Sequence, residues 1–435
     1  MLDMLERISL HDRVHHEEVK TMTGKKVPLQ LWVIFALILA LGIPGLYDRL
    51  VYGHLHANYG QFVTWGIWVA AYVFFAGVSA GAFLLSTLPY VFGIKKYEPL
   101  GRLSLFTALI ALLASVLLIL VDLGHPLRGM VRMIIAPNFS SMMTWVAWLY
   151  VIYTFIIISE LWFLMRVDLV RSKNRGGISG LFAKILAFRS RETSPESVSR
   201  DRRIVRILGI TGIIVSVCFL AGDGALFAVA RAKPFWHTGL LPITFLVSAL
   251  LSGGALMVCL APLFVRGGEG FREMVGSLSK VVGCILAFEL LILVSEILVT
   301  LTGGSPSHAA PLWLMMTGPF AWVFWVLQIG GGTVIPLVTL FGRPRLTLRA
   351  SALASFLILV GVFAFRLNTV IPQLAVPVFE GLPEAYHSSR TMTSYIPSLP
   401  ESAMLFFVVG LIGILFLWGY RSLPLVAAPP EQRGA

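Results

Sequence analysis

Long apolar stretches separated by short polar ones run through the 435 residues. A membrane-crossing helix needs about 20 mostly apolar residues. The pattern predicts ten such spans, at about 28–47, 61–93, 102–123, 142–166, 204–230, 239–265, 276–302, 312–341, 347–367 and 402–420. The expected fold class is all-α, a polytopic membrane protein with a tail over 1–27, a transmembrane domain over 28–420 and a second tail over 421–435. "GVSAGAFLL" (77–85) and "LLSGGALMV" (250–258) match at a spacing of 173 positions. Either the core is two related four-helix bundles, about 61–230 and 239–367, or small-residue contacts common in membrane helices recur by chance.

Composition agrees with the pattern. Hydrophobic residues make up 57% of the chain, charged ones 13%, and the mean hydropathy is +0.84. Soluble chains carry about 25% charged residues, so lipid is the expected solvent. The net charge of +12 comes without a basic stripe interleaved with aromatics, which argues against nucleic acid as a partner. With the N-terminus inside, 27 of the 34 Lys and Arg residues fall on the inner side and 7 on the outer. That asymmetry predicts cytoplasmic termini. Eleven of these residues lie in 166–206, read as the main cytoplasmic loop; its "RSRETSPESVSRDRR" (189–203) is expected to be a solvated linker. The polar first 28 residues lack the form of a cleavable signal, so the first span is expected to be retained.

Several cofactors are disfavoured by what the chain lacks. Cys218, Cys259 and Cys284 each stand alone in apolar runs, so no four-Cys iron–sulfur cluster is expected in this chain. The histidines (His11, His15, His16, His54, His56, His125, His237, His308, His387) avoid the middles of spans, which argues against a bis-histidine haem, and no metal site is expected. "IGGGT" (329–333) lacks the Lys-Ser/Thr ending of a phosphate loop.

The chemistry concentrates in a few intramembrane acids. An ionisable residue within a span costs roughly 2.5–3.5 kcal/mol on insertion scales. Glu160, Asp223, Glu289 and Glu296 lie within spans, and Asp122 ends the third. They spread from the outer side toward the cytoplasm, either as a proton path or as isolated polar contacts between helices. "LVDLGHPLRGMVRM" (120–133) adds His125, Arg128 and Arg132 to Asp122. Asp122 and His125, three apart, would share a face were the helix to continue, but Pro126 biases His125 out of the α region. An imidazole beside a carboxylate can take and give protons; the bland alternative is a polar helix end. Tyr72, Tyr150 and Trp236 either line a ring pocket or belong to the interfacial aromatic belt.

"WGIWVAAYVFFAGVSAGAFLL" (65–85), "DLGHP" (122–126), "FRLN" (365–368) and "YIPSLPE" (395–401), in this order and spacing, resemble motifs of the NrfD/PsrC (polysulfide reductase) family of integral membrane subunits. The resemblance is to the ten-span branch that includes the membrane subunits of hydrogenase-2, Qrc and alternative complex III, and it covers roughly 45–420. It implies a bacterial or archaeal inner-membrane subunit that carries no catalytic centre, haem or cluster of its own. It further implies menaquinone or another quinone bound near the outer surface, an extracytoplasmic ferredoxin-like iron–sulfur partner, and a further catalytic or cytochrome subunit. The positions of His125, Glu160 and Asp223 are similar to quinone-site and proton-path residues of alternative complex III. The function expected is thus a quinone/quinol-binding subunit of a respiratory oxidoreductase, with Asp122, His125 and Asp223 at the quinone and Glu160, Glu289 and Glu296 on a proton path that either ends at the site or crosses the membrane. Arg128 and Arg132 either hold the partner or the quinone oxygens, or anchor the outer surface. The rivals are a secondary transporter for a small solute and a purely structural anchor.

Overall fold

The apolar stretches become helices in the computed structural model, which describes residues 27–173, 183–187, 190, 192–265, 269–303, 305–342, 346–377, 379, 381–386, 388 and 391–425. His11, His15, His16 and His387 lie outside the described residues. In order the longer helices are α1 (Leu29–Val51), α2 (Ile67–Tyr90), α3 (Glu98–Asp122), α4 (Pro126–Ile135), α5 (Met142–Ser172), α6 (Pro195–Ala228), α7 (Leu240–Phe264), α8 (Glu269–Gly303), α9 (Pro306–Thr317), α10 (Val323–Phe341), α11 (Leu348–Ala375) and α12 (Leu399–Ser422). All but α4 and α9 are long and apolar enough to cross a membrane, so the described residues hold ten spans and no strand. This is an all-α, multi-pass membrane protein.

Lipid is as apolar as a leucine side chain, so helices in a bilayer associate through close packing rather than by escaping water. The contact of α2 with α7 shows this. A Cβ on Gly253 would lie 2.2 Å from the Gly81 carbonyl carbon, and one on Gly81 would lie 2.0 Å from the Ala249 oxygen. The two stretches that match at a spacing of 173 thus pack on each other. α2 also meets α3, α6 and α11, while α7 meets α6, α8 and α11. α1 lies against α12, where Gly42, Gly45 and Gly410 bring the backbones together.

Three boundaries differ from the sequence pattern. The predicted span at 312–341 is two pieces, α9 and α10, separated at Gly318, and α10 is π-helical over Val323–Val334. The span predicted to end at residue 367 runs on to Ala375, which sets Arg366 two turns back from the helix end. α5 and α6 extend well into the expected 166–206 loop. Ser194 caps α6 by accepting from the Ser197 amide at 3.3 Å. Within "RSRETSPESVSRDRR", Ser197 and Asp201 are buried rather than solvated. Arg166 donates to Asp201 at 2.6 Å, to the Glu192 carbonyl at 2.7 Å and to the Ser197 hydroxyl. The linker expectation is corrected for these residues: a buried guanidinium needs partners, and this segment supplies them.

Candidate functional site

Two polar groupings occupy the bundle, one at the end of the helices marked by Asp122 and one midway along them. At the Asp122 end, the 52–66 segment folds back over the tips of α2 and α3. Tyr59 donates to Asp122 Oδ1 at 2.9 Å. Arg49 secures the same helix end by donating to the carbonyls of Val121 (2.6 Å) and Leu123 (2.7 Å), groups that a helix terminus leaves unpaired. The His54 ring lies 5.7 Å from that of Tyr59 and 5.8 Å from that of Trp68, and its buried Nε2 finds no partner among the described residues. Burial, then the nearby Arg49 charge, hold His54 below its ordinary pKa, so it is neutral near pH 7. Burial, reinforced by the Asp122 charge, pushes the Tyr59 hydroxyl well above its usual value, which keeps it a proton donor.

α12 closes this end. Glu401 is fully buried in a capping box with Ser398, taking the Ser398 amide at 2.8 Å and the Asn58 amide at 3.0 Å. Tyr395 donates to Glu401 at 2.6 Å and accepts from the Ile67 amide at 3.0 Å, tying the start of α2 to the start of α12.

From Asp122 a row of hydroxyls leads inward. Tyr72 is within electrostatic reach of both Asp122 and Asp223. The Ser115 hydroxyl donates to the Tyr72 carbonyl at 2.9 Å, so the 2.8 Å bond between Ser115 and Tyr150 must have Tyr150 as donor. Tyr150 in turn feels the Asp223 charge. Asp223 is 1% exposed and neither of its oxygens has a hydrogen-bond partner among the described residues. Across from it stands Arg366, also 1% exposed, within electrostatic reach of both Asp223 and Glu289. Its guanidinium lies 4.0 Å over the Phe245 ring and donates to Ser248, while Nε and Nη1 are left unpaired among the described residues. Orphaned buried polar groups of this kind are rare and call for a functional or solvent explanation.

The predicted site residues therefore divide. Asp122, Asp223 and Glu289 belong to one electrostatic row through Tyr72 and Arg366. Glu160 is fully buried without a hydrogen-bond partner among the described residues, and it is within electrostatic reach of Tyr153 on its own helix. Glu296 lines a cleft with Glu289. His125 does not join Asp122: it is exposed, stands at the start of α4, where its carbonyl accepts from the Gly129 amide, and its ring makes no hydrogen bond with described residues. Leu123 is extended (ψ 125°) and His125 leaves helical geometry (φ −129°, ψ 75°) ahead of Pro126, so the three-residue register breaks. Arg128 and Arg132 are exposed on α4, a strongly amphipathic helix with no buried residue. Trp236 is buried and donates to the Thr369 carbonyl at 2.7 Å, which removes it from the belt.

Hydropathy alone passes over His54, Tyr59, Arg49 and Arg366, which stand in loops or at predicted span ends. The signals for Arg366, Tyr395 and Glu401 are the "FRLN" and "YIPSLPE" motifs, and none comparable marks His54.

Comparison with known proteins adds an independent line. The chain is 35% identical to the C subunit of selenate reductase from Mesobacillus selenatarsenatis, over 92% of its own length and 95% of the relative's. It is 26% identical to the Hdr-like menaquinol oxidoreductase integral membrane subunit of Archaeoglobus fulgidus over 95% and 97%, and 28% identical to the C chain of polysulfide reductase from Wolinella succinogenes over 70% and 92%. The family model for polysulphide reductase, NrfD, matches residues 55–377, and the chain belongs to this family.

Proposed function

We propose that this chain is the quinone/quinol-binding membrane subunit of a respiratory reductase complex in a bacterial or archaeal inner membrane. The observation that carries this reading is the Asp122 end, where neutral His54, protonated Tyr59 and a carboxylate converge and continue inward as a row of hydroxyls. A quinone ring offers two oxygens that accept protons when reduced and donate them when oxidised. The unpaired His54 Nε2 and the Asp122 carboxylate fit those oxygens, one as proton acceptor and the other tuned by Tyr59 and Arg49. Bound there, menaquinone or a related quinone supplies two-electron, two-proton chemistry. The protein's part is to hold the ring and to move the protons, through Asp122, Tyr72, Tyr150 and Asp223.

The charge asymmetry of the loops favours the extracytoplasmic side for the Asp122 end. An iron–sulfur subunit docked there would exchange electrons with the quinone, and a further catalytic or cytochrome subunit would complete the complex. The relatives support this, since their names describe subunits of selenate and polysulfide reductases and of a menaquinol oxidoreductase. Arg366, between Asp223 and Glu289, extends the row toward Glu296 and supports a proton route longer than the site itself requires.

The test is turnover of a menaquinol analogue by the assembled complex. Asp223→Asn and Asp122→Asn are expected to leave assembly intact and slow turnover about tenfold or more. Wild-type turnover in both would refute the assignment.

A further inference from the structure

Midway along the spans, away from the Asp122 end, α7, α8, α10 and α11 line a small, partly open cleft. Its walls include Leu290, Leu293 and Phe365, and its polar residues are Glu289, Glu296, Gln328, Thr244 and Thr333. The polar face is built, not incidental. Asn368 donates to Gln328 Oε1 at 2.7 Å, which fixes the amide with its NH2 end free. Gln328 sits in the π-helical stretch of α10, where wide turns are frequent at functional sites. Gly332 of that stretch packs backbone to backbone on Gly361: a Cβ on Gly332 would lie 2.2 Å from the Gly361 Cα. This pins α10 to α11 and leaves the opening toward α8.

Glu289 and Glu296 are only partly buried on a helix whose outer face carries Phe288, Leu291 and Val294 to lipid. They stand two turns apart, about 10 Å along the axis, and neither carboxyl makes a hydrogen bond with described residues. Arg366 is within electrostatic reach of Glu289 but not of Glu296; a carboxyl within the membrane without a polar partner is costly, so an occupant that offers hydrogen-bonding groups to Glu296 is favoured. A phospholipid headgroup stays at the bilayer surface, and an acyl chain brings no polar group. A hydrophobic ring with opposed oxygens and a prenyl tail meets both demands.

We infer that this cleft is a second quinone/quinol site, entered from the lipid between α8 and α10. It rests on the quinone reading above. Gln328 donates to one ring oxygen, a glutamate exchanges a hydrogen bond with the other, and the leucines and Phe365 cover the ring. Binding alone is claimed, with no electron transfer at this place.

The experiment uses the full chain, purified in native lipid discs with the subunits that accompany it, and a diazirine-bearing naphthoquinone as photoprobe. Two saturable labelling sites are expected, one in peptides from 52–72 and one in peptides from α8 and α10. Leu293→Trp fills the cleft and should abolish only the second; Leu290→Phe serves if that variant does not assemble. The double change Glu289→Gln with Glu296→Gln keeps the volume and should weaken the second site about tenfold, the loss of roughly one to two hydrogen bonds. Labelling confined to 52–72, or α8 labelling unchanged by both the filling and the glutamine variants, overturns the inference and leaves the proposed function standing. Phospholipid alone in the cleft overturns it equally. Absence of saturable labelling anywhere overturns the quinone reading itself.

Discussion

Tyr59 and Asp122, 63 positions apart, are joined by a 2.9 Å hydrogen bond that closes the 52–66 segment over the end of α3. The bond gives Asp122 a donor at the point where its helix stops, and it carries His54 to the same place. The acid, the phenol and the imidazole come from two separate stretches of sequence.

This pairing makes the two histidines near Asp122 unequal. His54→Ala is expected to slow menaquinol turnover about tenfold or more, the usual scale of losing one proton-transfer group. His125→Ala, an exposed change, is expected to leave it within about twofold, since the group touches none of the reacting residues. Steady-state rates of the assembled complex decide the matter; equal losses in both variants would return His125 to the site.

The acid limb of stability should report His54. Burial and Arg49 lower its pKa in the folded state, so the unfolded chain binds more protons as pH falls below about 6.5. Its contribution is therefore fully present above that pH and is lost as pH drops toward the depressed folded value. Asp122, Arg49, Tyr59 and Glu401 are the charged or titratable groups facing it. His54→Gln is expected to flatten the fall in melting temperature between about pH 7 and 5. An unchanged slope would show that His54 titrates alike in the folded and unfolded chain.

Arg366 is the cation set between buried Asp223 and half-buried Glu289. Arg366→Met leaves Asp223 and Glu289 uncompensated and should cost about 3 kcal/mol, the scale of breaking a buried charge interaction. Adding Asp223→Asn should recover part of that loss. Thermal unfolding of single and double variants in lipid discs gives the coupling, and strictly additive losses would sever Arg366 from Asp223.

The close contact of α2 and α7 sets a steric test. Gly253→Ala places a methyl against the backbone of Gly81 and Ala82, which cannot rotate away. Overpacking costs about 1–3 kcal/mol, and a backbone obstacle puts this case at the upper end. Gly239→Ala, whose added carbon meets open space, is the control. Equal melting temperatures for the two would contradict the packing.

The sequence by itself determined ten spans and the helical class, because a bilayer demands about 20 apolar residues per crossing and satisfied backbone groups within each. It also exposed the intramembrane acids, whose cost makes each one conspicuous. Which of them meet was decided only in three dimensions. Hydropathy leaves Arg366 at the very end of a predicted span, because a span's end is fuzzy by two turns; the fold carries α11 on to Ala375 and encloses it. Proximity in sequence joins His125 to Asp122, yet an extended Leu123 and Pro126 turn it outward, and a loop leading into α2 supplies His54 instead. Hydropathy is a property of one stretch at a time, whereas a site is assembled from groups on different helices, and long-range packing alone brings those together.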